Sequence, residues 1–146
     1  MNKSHHFKVP FEDYTTLHSV AASILTLAEP WKIIAMTGDL GAGKTTLVKV
    51  FCAHLDIPET VSSPTFTMIN EYHTATGEQV YHMDMYRIDH PDDAIQLGLD
   101  DYFSSSAWCF IEWPDNIPGW IPENVVSLSI NVDPVTHERN LVVTLP

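Results

Sequence analysis

Basic side chains are scarce in this sequence: seven lysines and arginines stand against nineteen aspartates and glutamates, a formal net charge of −12. A protein that grips RNA or DNA by its phosphates needs a basic surface. Direct nucleic-acid binding is therefore not expected, although a partner could supply it. Cysteine is also scarce. Cys52 and Cys109 are the only two, too few for a disulfide framework, and both fall in expected core elements, as buried thiols in a reducing cytoplasm would. No apolar run approaches the length of a membrane span, and the opening MNKSHHFKVP lacks the apolar stretch of a signal peptide. The eight histidines show neither an H-E-x-x-H pattern nor a Cys/His cluster of the kind zinc needs. No nucleophilic triad stands out, and the guanine-reading N-K-x-D is missing, which tilts the base of any bound nucleotide towards adenine. With 45% hydrophobic residues over 146 positions, the sequence reads as one soluble cytoplasmic domain, residues 1–146, with a real core.

What the chain does have is concentrated in residues 31–49. Gly38, Gly43, Lys44 and Thr45 complete a G-x-x-x-x-G-K-[ST] pattern, the phosphate-binding P-loop. The pattern is short, so its context decides. Before it, Ile33, Ile34, Ala35 and Met36 form a continuous apolar run, as expected of a strand buried on both faces. After it, Leu47, Val48, Val50, Phe51 and Leu55 recur at helical spacing. Gly38, Gly41 and Gly43 permit backbone conformations closed to residues with a Cβ, so that consecutive N–H groups turn inward as an anion nest, and the following helix aims its positive end at the same place. Lys44 reaches towards β- and γ-phosphates, and the Thr45 hydroxyl is placed to ligate Mg²⁺. The sequence predicts a nucleoside triphosphate site.

The remaining elements follow from pattern. His6–Val9 reads as a short strand, and residues 14–28 as a helix with Asp13 as N-cap. Residues 66–73 and 80–84 read as strands joined by a hairpin around Gly77, hence antiparallel. A helix starts at His90 and stops at Gly98, with a further turn at 100–103. Residues 108–113 form a short apolar strand, 115–122 a loop, and 125–132 and 140–145 two final strands. The expected fold is α/β, a P-loop NTPase-like three-layer sandwich whose mixed central sheet has a parallel core plus antiparallel strands.

Hydrolysis or transfer of a phosphoryl group needs carboxylates beyond the P-loop, and a sensor of the γ-phosphate. Asp84, in His82-x-Asp84-x-Tyr86-Arg87, reads equally as a Walker-B-type acid at a strand's C-terminal end and as a solvated carboxylate opening a turn. Arg87 reads as charge compensation or as one half of a surface ion pair. Glu112 closes the strand Cys109-Phe110-Ile111, where a carboxylate is costly unless it faces the ligand cleft; a Mg²⁺-coordinating or water-orienting role is favoured. Trp113 reads as a core-edge aromatic or a stacking platform. The loop Ser62-Ser63-Pro64-Thr65-Phe66 is placed either as a γ-phosphate switch or as a simple turn.

Taken together, Gly38-Asp39-Leu40-Gly41-Ala42-Gly43-Lys44-Thr45-Thr46, Ser63-Pro64-Thr65-Phe66, His82-x-Asp84-x-Tyr86-Arg87, Ile111-Glu112-Trp113-Pro114 and Arg139-x-Leu141 resemble, in order and spacing, the bacterial TsaE (YjeE) family over nearly the whole chain. The resemblance implies a small P-loop ATPase required for the threonylcarbamoyladenosine modification of tRNA. It implies ATP and Mg²⁺ as ligands, TsaD and TsaB as partners, and weak hydrolysis in isolation that supports turnover of the TsaB–TsaD complex. Carried over residue by residue, it makes Lys44 the P-loop lysine, Thr45 the metal ligand, Thr65 part of the switch-like loop, Asp84 the Walker-B-like acid and Glu112 the second acid at the metal. It also gives Trp113 a functional role and sets Arg139 and Phe11 at the adenine. Two rival readings share the P-loop: a small-molecule kinase, and a nucleotide-dependent binding module without relevant turnover.

Overall fold

The computed structural model describes residues 3–10, 12–64 and 66–146. Phe11 and Thr65, two of the expected site residues, lie outside the described residues. The elements are β1 (Ser4–Val9), α1 (Tyr14–Ala28), β2 (Ile33–Thr37), α2 (Lys44–His54), β3 (Ile69–His73), β4 (Gln79–Asp84), a 3-10 helix (Pro91–Leu97), α3 (Leu99–Phe103), β5 (Trp108–Glu112), a 3-10 turn (Pro114–Asn116), β6 (Val126–Val132) and β7 (Arg139–Thr144). They form a seven-stranded sheet in the order β1-β7-β6-β2-β5-β4-β3.

The sheet is mixed for a topological reason. The strands β6, β2, β5 and β4 run parallel, because each must begin again at the edge where the last began after a crossover. Tight returns instead add β3 to β4 and β7 to β6, antiparallel, and β1, from the other end of the chain, pairs antiparallel with β7 at the margin. Alternation then divides the apolar residues between two faces. Val80, Phe110, Ile34 and Leu128 point towards α1 and α2, where Leu17, Ile24, Leu47 and Phe51 complete one core. Tyr81, Met83, Cys109 and Ile111 point the other way and are covered by Ile88, Ala94, Leu99 and Ile117 from the segments that follow β4 and β5. The result is three layers, as expected from the sequence.

The helix boundaries also agree. The Asp13 side chain accepts from the Thr16 N–H at 3.1 Å, satisfying one orphan donor at the start of α1. Three segments depart from the sequence expectation. The strand expected from Phe66 begins only at Ile69, because Met68 is left-handed (φ 64°) and breaks the extended run. The helix expected at 91–97 is a 3-10 helix. It buries only Ala94, so no apolar stripe rewards α-helical geometry, and left-handed Gly98 resets the chain before α3. The strand expected over residues 108–113 ends at Glu112. Trp113 precedes Pro114, which disfavours the right-handed helical region for it, and takes a left-handed conformation (φ 59°, ψ 50°).

Candidate functional site

A cleft of about 300 Å³ opens where β2, β4 and β5 end, lined among others by Gly41, Gly43, Lys44, Thr45, Thr46, Ser63, Asp84, Glu112 and Trp113. It sits at the carboxyl edge of a parallel sheet, where open α/β folds bind ligands. The P-loop connects β2 to α2 across its floor. Gly41 and Gly43 take φ 80° and 110°, which lets the loop wrap back on itself. Gly38 is needed for a different reason: a Cβ there would lie 2.9 Å from the Ile130 carbonyl oxygen of β6. The P-loop is therefore pressed against the sheet at its start and free to turn at its end.

Lys44 is almost fully buried (4% exposed). Its Nζ donates to the carbonyl oxygens of Gly38 (2.5 Å) and Asp39 (3.1 Å), and lies 4.0 Å from the centre of the Trp113 ring. Burial pulls the ammonium below its ordinary pKa, while the negative charges of Glu112, Asp84 and Asp39 oppose that pull. The cleft thus carries a desolvated cation beside acidic groups.

Those acids come together through strand register. Asp84 and Glu112 are direct partners at the ends of the parallel pair β4–β5, and Met36 of β2 partners Glu112 on the other side. Glu112 is 3% exposed. Its carboxylate accepts from the Thr45 hydroxyl at 3.1 and 3.0 Å and meets His82 Nε2 at 2.5 Å. Asp84 accepts from the Ser63 hydroxyl at 3.2 Å and from the Tyr86 N–H at 3.0 Å. A hydroxyl and two carboxylates around one cleft are hard oxygen donors, a set that suits Mg²⁺ and not a thiophilic metal. Ser63, from the hydroxyl-rich loop, reaches this group, so that loop borders the cleft.

The arginines are elsewhere. The Arg139 Nε donates to the Ala42 carbonyl at 3.4 Å, and one of its terminal nitrogens donates to the His137 carbonyl at 2.9 Å, which places it against the P-loop backbone. The Arg87 guanidinium lies 5.1 Å from the centre of the Phe66 ring. Neither is among the residues lining the cleft.

A family model described as threonylcarbamoyl adenosine biosynthesis protein TsaE matches residues 11–141 of this sequence. The chain belongs to the TsaE family. It is 37% identical over 109 residues to the tRNA threonylcarbamoyladenosine biosynthesis protein TsaE of Haemophilus influenzae, covering 75% of this chain and 67% of that one. It is 39% identical over 112 residues to the Bacillus subtilis protein of the same name, covering 77% and 69%. The crystal structure of YdiB from Bacillus subtilis superposes with a TM-score of 0.75 at 30% identity, over 99% of this chain and 87% of that one.

Within this TsaE chain the structure gathers Lys44, Thr45, Thr46, Asp84, Glu112 and Trp113 into one cleft, while Asp39 and Ala42 meet Lys44 and Arg139 through backbone oxygens. Leu40 is exposed at the rim. Sequence reasoning gave no role to His82. A signal was present: His82 and Asp84 alternate onto the same face of β4. Its contact with Glu112, thirty positions away, depends on a parallel register that spacing alone does not reveal. Tyr86, two positions beyond Asp84, lies past the strand end, 5.1 Å centroid to centroid from Trp113.

Proposed function

We propose that this TsaE protein binds Mg²⁺–ATP at the P-loop cleft and hydrolyses it to ADP and phosphate, as the ATPase component of the machinery that makes threonylcarbamoyladenosine in tRNA. The observation that supports this best is the buried Glu112 carboxylate, held at the Thr45 hydroxyl across the P-loop cleft beside its register partner Asp84. A module that only binds nucleotide has no need of a second buried acid there. In this reading the P-loop N–H groups and Lys44 hold the phosphates, and Thr45, Asp84 and Glu112 hold the metal directly or through its water. The metal neutralises charge on the phosphate oxygens. Trp113 flanks the bound nucleotide within the cleft, and Arg139, outside the lining, meets the adenine end from behind the P-loop backbone at Ala42.

Two features favour hydrolysis that depends on partners, namely TsaD and TsaB. The charge of −12 leaves tRNA contact to other chains and fits a cytoplasmic protein that needs no nucleic-acid surface of its own. The cleft has no arginine in its lining, so the charge that stabilises the transferred phosphoryl group comes in part from a partner. The same lack disfavours a small-molecule kinase, which uses arginines to clamp the group it transfers.

Glu112→Gln tests the choice between turnover and binding. Hydrolysis is expected to be lost while ATP still binds through the P-loop, with only the Mg²⁺-dependent part of its affinity reduced. If tRNA modification in a reconstituted system proceeds unchanged with that variant, binding is the function and the ATPase reading is wrong.

A further inference from the structure

His82 is fully buried in the middle of β4, on the face that carries Val80 towards α2. One ring nitrogen, Nε2, lies 2.5 Å from Glu112 Oε2. The other, Nδ1, is the one buried side-chain nitrogen or oxygen without a hydrogen-bond partner among the described residues. An apolar side chain would fill a sheet face without stranding a polar atom there. The histidine is therefore accounted for by what Nε2 does.

A carboxylate only accepts, so the shared proton is carried by Nε2 and donated to Glu112. Nδ1, with no acceptor in reach, then carries the lone pair. The ring sits on a strand whose register with β5 is fixed (His82 opposite Phe110, Asp84 opposite Glu112), so the donor is rigid. Glu112 is contacted from two directions: by this ring from beneath and by the Thr45 hydroxyl from the cleft. Besides the Thr45 hydroxyl, this ring is the one group among the described residues within hydrogen-bonding distance of the carboxylate.

We propose that His82 is a positioning residue for the metal–nucleotide site: its Nε2–H fixes the orientation of the Glu112 carboxylate so that the acid faces Thr45 at the cleft floor. The inference rests on the reading of Glu112 as an acid at the metal. Groups that orient a metal-binding side chain from behind are worth about 10- to 100-fold in metal affinity or activity.

The test is calorimetric binding of ATP to the purified chain, with and without Mg²⁺, for wild type, Glu112→Gln, His82→Leu and His82→Gln. In His82→Leu the affinity for Mg²⁺–ATP should fall about ten-fold or more while metal-free ATP binds as before. His82→Gln, whose amide can again offer an N–H to Glu112, should recover most of that loss. Nitrogen-15 NMR of the wild type should show His82 protonated at Nε2 and bare at Nδ1, a readout that needs no variant to fold. If Glu112→Gln loses no Mg²⁺-dependent affinity, Glu112 is not at the metal and both readings fall. If Glu112→Gln loses it and His82→Leu does not, only the role of His82 falls. Equal loss with and without Mg²⁺ in His82→Leu, or a bare Nε2 in the spectrum, also overturns it.

Discussion

The Lys44 ammonium lies 4.0 Å from the centre of the Trp113 ring while it donates to the Gly38 and Asp39 carbonyls. The lysine that should meet phosphate is thus held by its own loop and capped by an indole. A triphosphate offers Lys44 stronger, charge-assisted partners than two carbonyls, so nucleotide must draw the ammonium away from the ring. The fluorescence of Trp113 is expected to change on adding Mg²⁺–ATP, and that change should vanish in Trp113→Phe although three other tryptophans remain. A signal that survives the substitution would place the response elsewhere.

Gly38→Ala should destabilise the fold as well as the site. The added methyl would lie 2.9 Å from the Ile130 carbonyl, a backbone atom that cannot swing aside. Overpacking of this kind costs about 1–3 kcal/mol, measurable as a lower denaturation midpoint with an unchanged slope. Gly41→Ala meets no such obstacle, since nothing lies within 4 Å of its Cβ position, and its cost comes instead from φ 80°.

The thiols should be inert. Burial pushes both Cys52 and Cys109 up to about 12, so neither supplies appreciable thiolate in the native state. Alkylation near pH 8 should label neither until the chain unfolds. Because the native state holds these protons more tightly than the unfolded chain, their contribution to stability is complete below the ordinary thiol value of 9.0. It is lost as pH rises from there towards about 12. Rapid native labelling at pH 8 would contradict the burial argument.

Asp84→Asn should weaken hydrolysis about 10- to 100-fold, because a neutral amide keeps the shape but not the charge beside the metal. Its Oδ1 can still accept from the Tyr86 N–H, and its amide NH2, standing where Oδ2 was, can donate to the Ser63 hydroxyl oxygen, so the melting temperature should move little. A large loss of stability with unchanged turnover would make Asp84 a turn residue, the other reading its sequence position allowed.

Much of this site was legible in the sequence, and the reason is local. The P-loop motif lies between a continuous apolar strand and a helical apolar stripe, and Glu112 closes an apolar strand where a carboxylate is costly without a role. What spacing could not supply was register. Nothing in residues 79–84 says that His82 will lie against Glu112; that follows from β4 and β5 pairing in parallel. The left-handed turn at Trp113 was hidden for a local reason: an aromatic residue there reads as one more strand position, and only the following proline hints at the break. At 91–97 the Pro and acids signalled a helix start correctly, but its type depended on how little of it the sheet would cover.

The most direct test of the account is ATP hydrolysis by the purified chain, alone and together with TsaB and TsaD, with Lys44→Ala as the control. The account predicts slow release of phosphate by the chain alone, a strong rise on adding the partners, and loss of both in the variant. Hydrolysis that is equally fast without partners, or that survives Lys44→Ala, would contradict it.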